Sequence, residues 1–466
     1  MNLIRKMSGL ILAAALLTAC ADTQPPAATP ETAAETAGWS VGEMRPLPEA
    51  NDQGIYVFQY SAINQDNHYP YNLLCRVDFD SGEVSPVCRV PGCTHDSIDC
   101  LAFIDIQSIN TVIPEEDGSL LIYHKAESAE TRQDFLHEAQ LYLDNAEWKE
   151  AEYPGEAGRK YLEAAVENLQ QPSYVDRLSA DGLTRERLVT LPEDLNPSLN
   201  CWDGQALYGS TWEGNLDIVV ENQGVRIGLD GQVDFFDIPD PYLTSIKSGW
   251  GQYLVLSHIS SPVDIRTMYL YGNYDAYYLL QNQLERQCWL YDPVQGTTRK
   301  LEMPVGPVTN FACVGDYIVY SVENNGNQTM SMYTYDLKTG ENKLLLEGMS
   351  TVYIQTIPTT DRPGSYIWGY PGTESALVDL DTGTWWTATE LMELAGLDTS
   401  RYSMVNVNGE SGDGRLILTV YDNNSRKNIY VALRCPTPED NSNLTQQSME
   451  ANGTLVEEEA EENAAS

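Results

Sequence analysis

The chain has 466 residues, with 68 acidic against 27 basic side chains and a formal charge of −41. So negative a surface repels phosphate backbones and anionic headgroups, which excludes nucleic acid and direct lipid-surface binding. The length allows a large core but exceeds one ordinary domain, unless repeats each pack only on their neighbours.

At the N-terminus, Arg5 and Lys6 precede a short apolar run, Leu10 to Leu17, that closes as Leu17-Thr18-Ala19-Cys20. The run is too short to cross a bilayer and has the layout of a secretory signal, expected over residues 1–19. The Leu-x-Ala-Cys ending resembles the lipobox of bacterial lipoproteins. That resemblance implies that Cys20 becomes the N-terminus and carries lipid, placing the protein on the extracytoplasmic side of the cell membrane. Contact with the membrane is then expected through the lipid anchor alone. Residues 20–37 are rich in Pro, Ala, Thr and Glu and read as a flexible tether. The acidic end, 436–466, reads as a disordered tail.

Between the two lies a repeat. Seven times a Gly opens a short apolar, β-prone run, beginning at Gly54, Gly118, Gly204, Gly251, Gly315, Gly364 and Gly414. Six of these are followed by a turn signature: Asp80-Ser81-Gly82, Asp181-Gly182, Asp230-Gly231, Gln295-Gly296, Lys338-Thr339-Gly340 and Asp381-Thr382-Gly383. Such turns supply the positive φ that a tight hairpin needs. Strands and hairpins recurring every ~45–65 residues describe propeller blades. The predicted fold is all-β, a seven-bladed propeller of four-stranded antiparallel blades over residues 38–435. Each Gly-led run is taken as the inner strand. The run at Gly414 lacks a later turn, so Trp39–Leu47 is expected to complete that blade and close the ring.

Two intervals are too long. Residues 126–171 hold Phe135, Leu136, Ala139, Leu143, Tyr161, Leu162, Ala165 and Leu169 at helical spacing, broken at Tyr153-Pro154-Gly155. A helical hairpin inserted in blade two is predicted. Residues 260–286 form a Tyr-rich insertion in blade four. Its Tyr269, Tyr271, Tyr274, Tyr277 and Tyr278 are the candidate ligand-binding residues, because aromatic faces with phenol edges suit sugars and peptides.

Of nine cysteines, Cys20 is assigned to lipid, and four of the other eight cluster as Cys75, Cys88, Cys93 and Cys100 with His95 between the last two. Three thiolates and an imidazole are a zinc donor set, yet the spacing fits no zinc-ribbon or finger pattern and export favours oxidation. Residues symmetric about Ser81-Gly82 would pair across the hairpin, placing Cys75 opposite Cys88. Disulfide or structural thiols are therefore the preferred role for Cys75, Cys88, Cys93 and Cys100, and neither metal nor cofactor is expected. Asp78/Asp80 and Asp379/Asp381 read as hairpin caps. Gly38-Trp39-Ser40-Val41-Gly42 matches a nucleophile-elbow pattern but lacks the strand before it and the helix after it. The histidines show no metal-pair spacing, and no catalytic residues emerge.

The lipobox, the repeats and the segment Cys88-Arg-Val-Pro-Gly-Cys93-Thr-His95-Asp-Ser-Ile-Asp-Cys100 together resemble lipoproteins of gut-type Firmicutes with TolB-like β-propellers. The resemblance implies a fold and an envelope location without an activity. The expected function is a membrane-anchored binding or scaffolding module that uses one propeller face for a peptide, glycan or envelope-protein partner. The alternative is a propeller enzyme, a hydrolase or lyase, with residues scattered over loops.

Overall fold

The computed structural model describes residues 39–60, 71–105, 109–127, 129–144, 155–193, 195–211, 222–260, 285–303, 308–324, 329–349, 354–357, 366–369, 375–411, 414–437 and 440. The expected lipidation site Cys20, the expected signal and tether, and nearly all of the acidic C-terminal segment lie outside them. Among the described residues, no helix is long and apolar enough to cross a membrane.

The protein is an all-β propeller. Among the described residues, six antiparallel sheets carry a four-strand path in chain order. Blade I comprises Ala50–Asn51, Gly54–Tyr60, Tyr71–Asp78 and Val84–Pro86. Blade II comprises Ile109–Pro114, Leu120–Lys125, Tyr174–Leu178 and Arg185–Thr190. Blade III has Ser198–Trp202, Ala206–Ser210, Gln223–Gly228 and Val233–Asp237; blade IV has Thr244–Trp250, Tyr253–Ser260, Glu285–Asp292 and Thr297–Lys300. Blade V runs through Val308–Val314, Tyr317–Asn324, Thr329–Asp336 and Asn342–Met349, and blade VI through Ile354–Thr356, Tyr366–Gly369, Ala376–Asp379 and Trp385–Thr387. A terminal sheet of Tyr402–Glu410, Arg415–Asp422 and Lys427–Arg434 follows, with three strands. The expectation of seven four-stranded blades is thus corrected to six.

Apolar side chains join each sheet to the next. Tyr123 and Val175 of blade II meet Leu207 and Val225 of blade III in one buried cluster, for example. Ile55, Val77 and Phe79 of blade I meet Ile417 of the terminal sheet in another. Among the described residues, the last sheet therefore meets the first by side-chain packing, with no shared strand.

The expected closure by Trp39–Leu47 is not found. Arg45–Pro46 instead pairs antiparallel with Trp202 and Cys201, on the free inner edge of blade III. Met44 bridges to Gly251 of blade IV. The segment has too few paired residues to compete for a whole outer strand, and Met44, 1% exposed, is held in the core between blades III and IV.

The Gly-led runs are second strands, not inner ones. Gly204 (φ +84°) and Gly251 (φ +59°) occupy left-handed positions in the turns joining first and second strands. Those turns share one rim with the turns joining third and fourth strands. The opposite rim carries the second-to-third connections and the crossings between blades. Both long inserts interrupt second-to-third connections, in blades II and IV. In blade II two helices fill it, α1 (Ala129–Asp144) and α2 (Gly155–Leu169), which pack together with Ala139, Tyr161, Leu162, Ala165 and Leu169 buried. A third helix not foreseen, α3 (Ala388–Leu394), follows blade VI behind a Thr387/Glu390 capping box and buries Leu391 and Met392.

Candidate binding cavity and a thiol–imidazole cluster

The third strand of blade I has a divided outer edge. Val84–Pro86 covers its lower half, while Phe103–Asp105 covers its upper half. Leu74 stands at the division: its carbonyl accepts from the Val87 N–H at 3.1 Å and its N–H donates to Ala102 at 2.7 Å. Everything between Val87 and Ala102 is a loop whose two ends meet at one residue.

That loop changes the cysteine assignment. Cys75 lies opposite Pro86, not Cys88. The reason is the turn: Gly82 (φ +68°) is its closing left-handed residue, and Asp78 Oδ1 accepts from the N–H groups of Asp80 and Ser81. The hairpin is thereby centred between Asp80 and Ser81, one residue earlier than the expected Ser81-Gly82 centre. All eight described cysteines are free thiols, and no disulfide is seen among them. Burial pushes the Cys75 thiol up to about 11.

The ligand atoms of Cys88, Cys93, His95 and Cys100 all lie within 4.8 Å of one another. His95 Nδ1 stands 3.3 Å from Cys100 Sγ. Cys88 and Cys100 are 2% and 5% exposed, whereas Cys93 and His95 are half-buried. His95 adopts φ +58° and Gly92 φ +80°, and the Cys93 N–H donates to Val90 at 3.1 Å. These turns fold the loop back on itself. Burial raises the Cys88 thiol, but the N–H groups of Val90 and Leu101 together with the Cys93 and Cys100 thiols outweigh it and hold it below the ordinary value. Burial drives Cys100 strongly up, and the neighbouring thiols add to that against one donor, the Ala102 N–H. Outside the loop, Tyr161 and Ala165 of α2 pack into the same apolar cluster, and Arg185 of blade II donates to the Leu101 and Phe103 carbonyls.

A separate cavity of about 440 Å³ opens on the long-loop rim of blade III. Its lining includes Thr211, Asn222, Gln223, Asp237 and Pro241. Asn222 is the hinge of its polar wall: its N–H donates to the Pro241 carbonyl and its Nδ2 to the Thr244 carbonyl, each at 3.0 Å. Behind it, the Thr244 hydroxyl is 3.1 Å from His258 Nδ1, and the His258 ring stacks on Trp289 at 3.9 Å. Burial lowers the His258 pKa, with Asp240, 3.9 Å away, opposing and Lys300 assisting. Sequence reasoning missed Asn222, His258 and Trp289, because they come from one connection and two strands with no common spacing. Ser260 pairs with Glu285 at the base of the Tyr-rich insertion, two residues beyond the His258–Gln287 pair. Tyr269, Tyr271, Tyr274, Tyr277 and Tyr278 themselves lie outside the described residues.

The remaining sequence candidates have structural roles. Asp379 Oδ1 caps its turn by accepting from Asp381 and Thr382 N–H groups. Trp39 of the elbow-like motif packs against Tyr208 and Phe236.

No family model and no curated protein matches the chain. Among solved structures, it is similar to an acylaminoacyl peptidase bound to a chloromethyl ketone, at 12% identity and TM-score 0.39, covering 68% of this chain and 43% of that one. It also resembles the β-propeller domain of the Trilobed protease from Pyrococcus furiosus, at 10% identity and TM-score 0.44, over 84% and 94% of the two chains. A putative TolB from Agrobacterium tumefaciens is matched at 15% identity and TM-score 0.31, over 51% and 74%. The chain spans less than half the length of the peptidase. Peptidase and TolB-like neighbours share only the propeller fold with it.

Proposed function

We propose that the protein is a membrane-anchored, extracytoplasmic binding module that takes a peptide, glycan or envelope-protein partner on the long-loop rim of its propeller. One observation carries this reading: a cavity of about 440 Å³ opens on that rim. Its size falls in the ~300–1,000 Å³ range of ligand pockets. The rim also bears the two long inserts, and the Tyr-rich one is rooted at Ser260 and Glu285, on the strands that hold His258 and Trp289. Convergent loops on a rigid ring are where binding residues collect.

The first described residues lie against the other rim. Gly42 donates to Asp203, and Met44 reaches Gly251, both on the tight-turn side.

The test is equilibrium binding of the full chain to panels of envelope glycans and peptides, with Gln223→Trp alongside. Gln223 is exposed and lines the cavity, so the bulky ring fills it without touching the core. Ligands of the wild type should lose at least tenfold in affinity for Q223W. Undiminished binding would remove the cavity from the function. Labelling of Cys20 by radioactive palmitate, abolished in Cys20→Ser, tests the anchor.

A further inference from the structure

We propose that Cys88, Cys93, His95 and Cys100 form a closed, tetrahedral zinc site that staples the interrupted outer strand of blade I. The four donors converge from a single loop, every pair within 4.8 Å. Zinc bond lengths of ~2.3 Å to sulfur and ~2.0–2.1 Å to nitrogen require tetrahedral donors to lie ~3.8 Å apart for two sulfurs and ~3.6 Å for sulfur and nitrogen. The observed 3.3 Å between His95 Nδ1 and Cys100 Sγ is within a few tenths of that. A disulfide would instead bring one pair of sulfurs to ~2.05 Å and leave the third thiol and the imidazole without a role.

The surroundings are those of a metal–thiolate site. Cys88 receives the Val90 N–H and Cys100 the Ala102 N–H, the same step of two residues each time. Such donors orient ligand sulfurs and spread their charge. Gly92 and His95 at positive φ turn the chain so that Cys93 and His95 face the two neck cysteines. Gly92 has open space around a would-be Cβ, so its backbone conformation is what demands glycine there.

Four protein ligands leave no open position, so the site is structural and does not activate water. Its place explains the need. The neck of the loop is held by two hydrogen bonds to Leu74. Cys88 and Cys100 sit just inside that neck, and a shared metal ion would tie them together. Binding deprotonates three thiols, releases their protons to solvent, and couples metal affinity to folding of the loop.

The test uses the full chain, purified reduced in detergent and loaded with Zn(II) or Co(II). One equivalent of zinc per chain is expected. Co(II) should give the visible bands of a tetrahedral ion together with thiolate charge transfer in the near ultraviolet. Cys93→Ser and Cys100→Ser should lower Zn(II) affinity at least tenfold, while Cys75→Ser, outside the cluster, should not. His95→Cys should keep one equivalent and shift the cobalt spectrum. That variant separates ligation from misfolding. A chelator should lower the melting temperature of the wild type and leave Cys93→Ser unmoved. Less than a tenth of an equivalent of zinc in the folded wild type would overturn the proposal. So would a disulfide between any two of Cys88, Cys93 and Cys100 in protein from the native envelope.

Discussion

Arg45 lies opposite Trp202 in antiparallel register, so the segment that enters the propeller adds a strand to the inner edge of blade III. Room for it depends on Gly249. A Cβ there would stand 2.8 Å from Met44 Cβ and 3.0 Å from Cys201 Cβ. Gly249→Ala should therefore lower stability by about 1–3 kcal/mol, the usual cost of overpacking a core. Limited proteolysis should then cut within residues 39–51 faster than in the wild type. An unchanged melting temperature with an uncut segment would contradict the packing described.

Closure of the ring rests on side chains, and Ile417 is the most exposed to test. It is fully buried between the terminal sheet and blade I, in a cluster with Ile55, Val77 and Phe79. Ile417→Ala should cost about 2–4 kcal/mol through the cavity it leaves. Because no strand is exchanged among the described residues, hydrogen exchange should accelerate in both Gly54–Tyr60 and Lys427–Arg434. Acceleration confined to Lys427–Arg434 would mean that the two sheets are held by something else.

The blades were legible because their turns need left-handed residues, and glycine at positions such as Gly204 and Gly251 records that need directly. The rank of each strand was not legible. Inner strands such as Thr244–Trp250 mix Ser, Lys and Gly with few large apolar residues, so the apolar second strands looked like the first. The N-terminal strand left no periodic signal because only three consecutive residues pair, Met44 with Gly251 and Arg45 and Pro46 with blade III. The Cys/His loop was visible as a cluster, but its partners hinged on a one-residue shift of the hairpin centre, which turned Cys75 away from Cys88. The cavity wall was invisible, since Asn222, Thr244 and His258 meet only after two blades have packed.

His124 should make the protein sensitive to acid. Its Nε2 lies 2.6 Å from Arg185 Nη2 and 3.7 Å from Asp176. Burial first, then the Arg185 and Arg187 charges, hold its pKa well below the usual value. The folded chain therefore keeps the ring neutral while the unfolded chain takes up a proton below ~6.5. The stability at stake is present above that pH and lost as pH falls through it, by up to ~1.4 kcal/mol per pH unit. His124→Gln, neutral throughout, should flatten the fall in melting temperature between pH 6.5 and 4.5. A parallel fall in variant and wild type would show that His124 does not drive it; His258, shifted the same way, is the next group to replace.

Glu410 should act in the opposite direction. It ends the first strand of the terminal sheet, and among the described residues its buried Oε2 has no hydrogen-bond partner. Burial, then the charge of Asp379, pushes its pKa up to about 7. A carboxyl that is more basic folded than unfolded binds a proton on folding, so it favours the fold below ~4.5. That advantage disappears as pH rises to about 7, and above it the fold carries a buried, unpaired charge. Glu410→Gln removes the charge and keeps the shape. It should leave the melting temperature unchanged at pH 4.5 and raise stability by about 1–3 kcal/mol at pH 8. Equal effects at both pH values would mean that Glu410 is solvated in the folded chain, and that the missing partner at Oε2 is water.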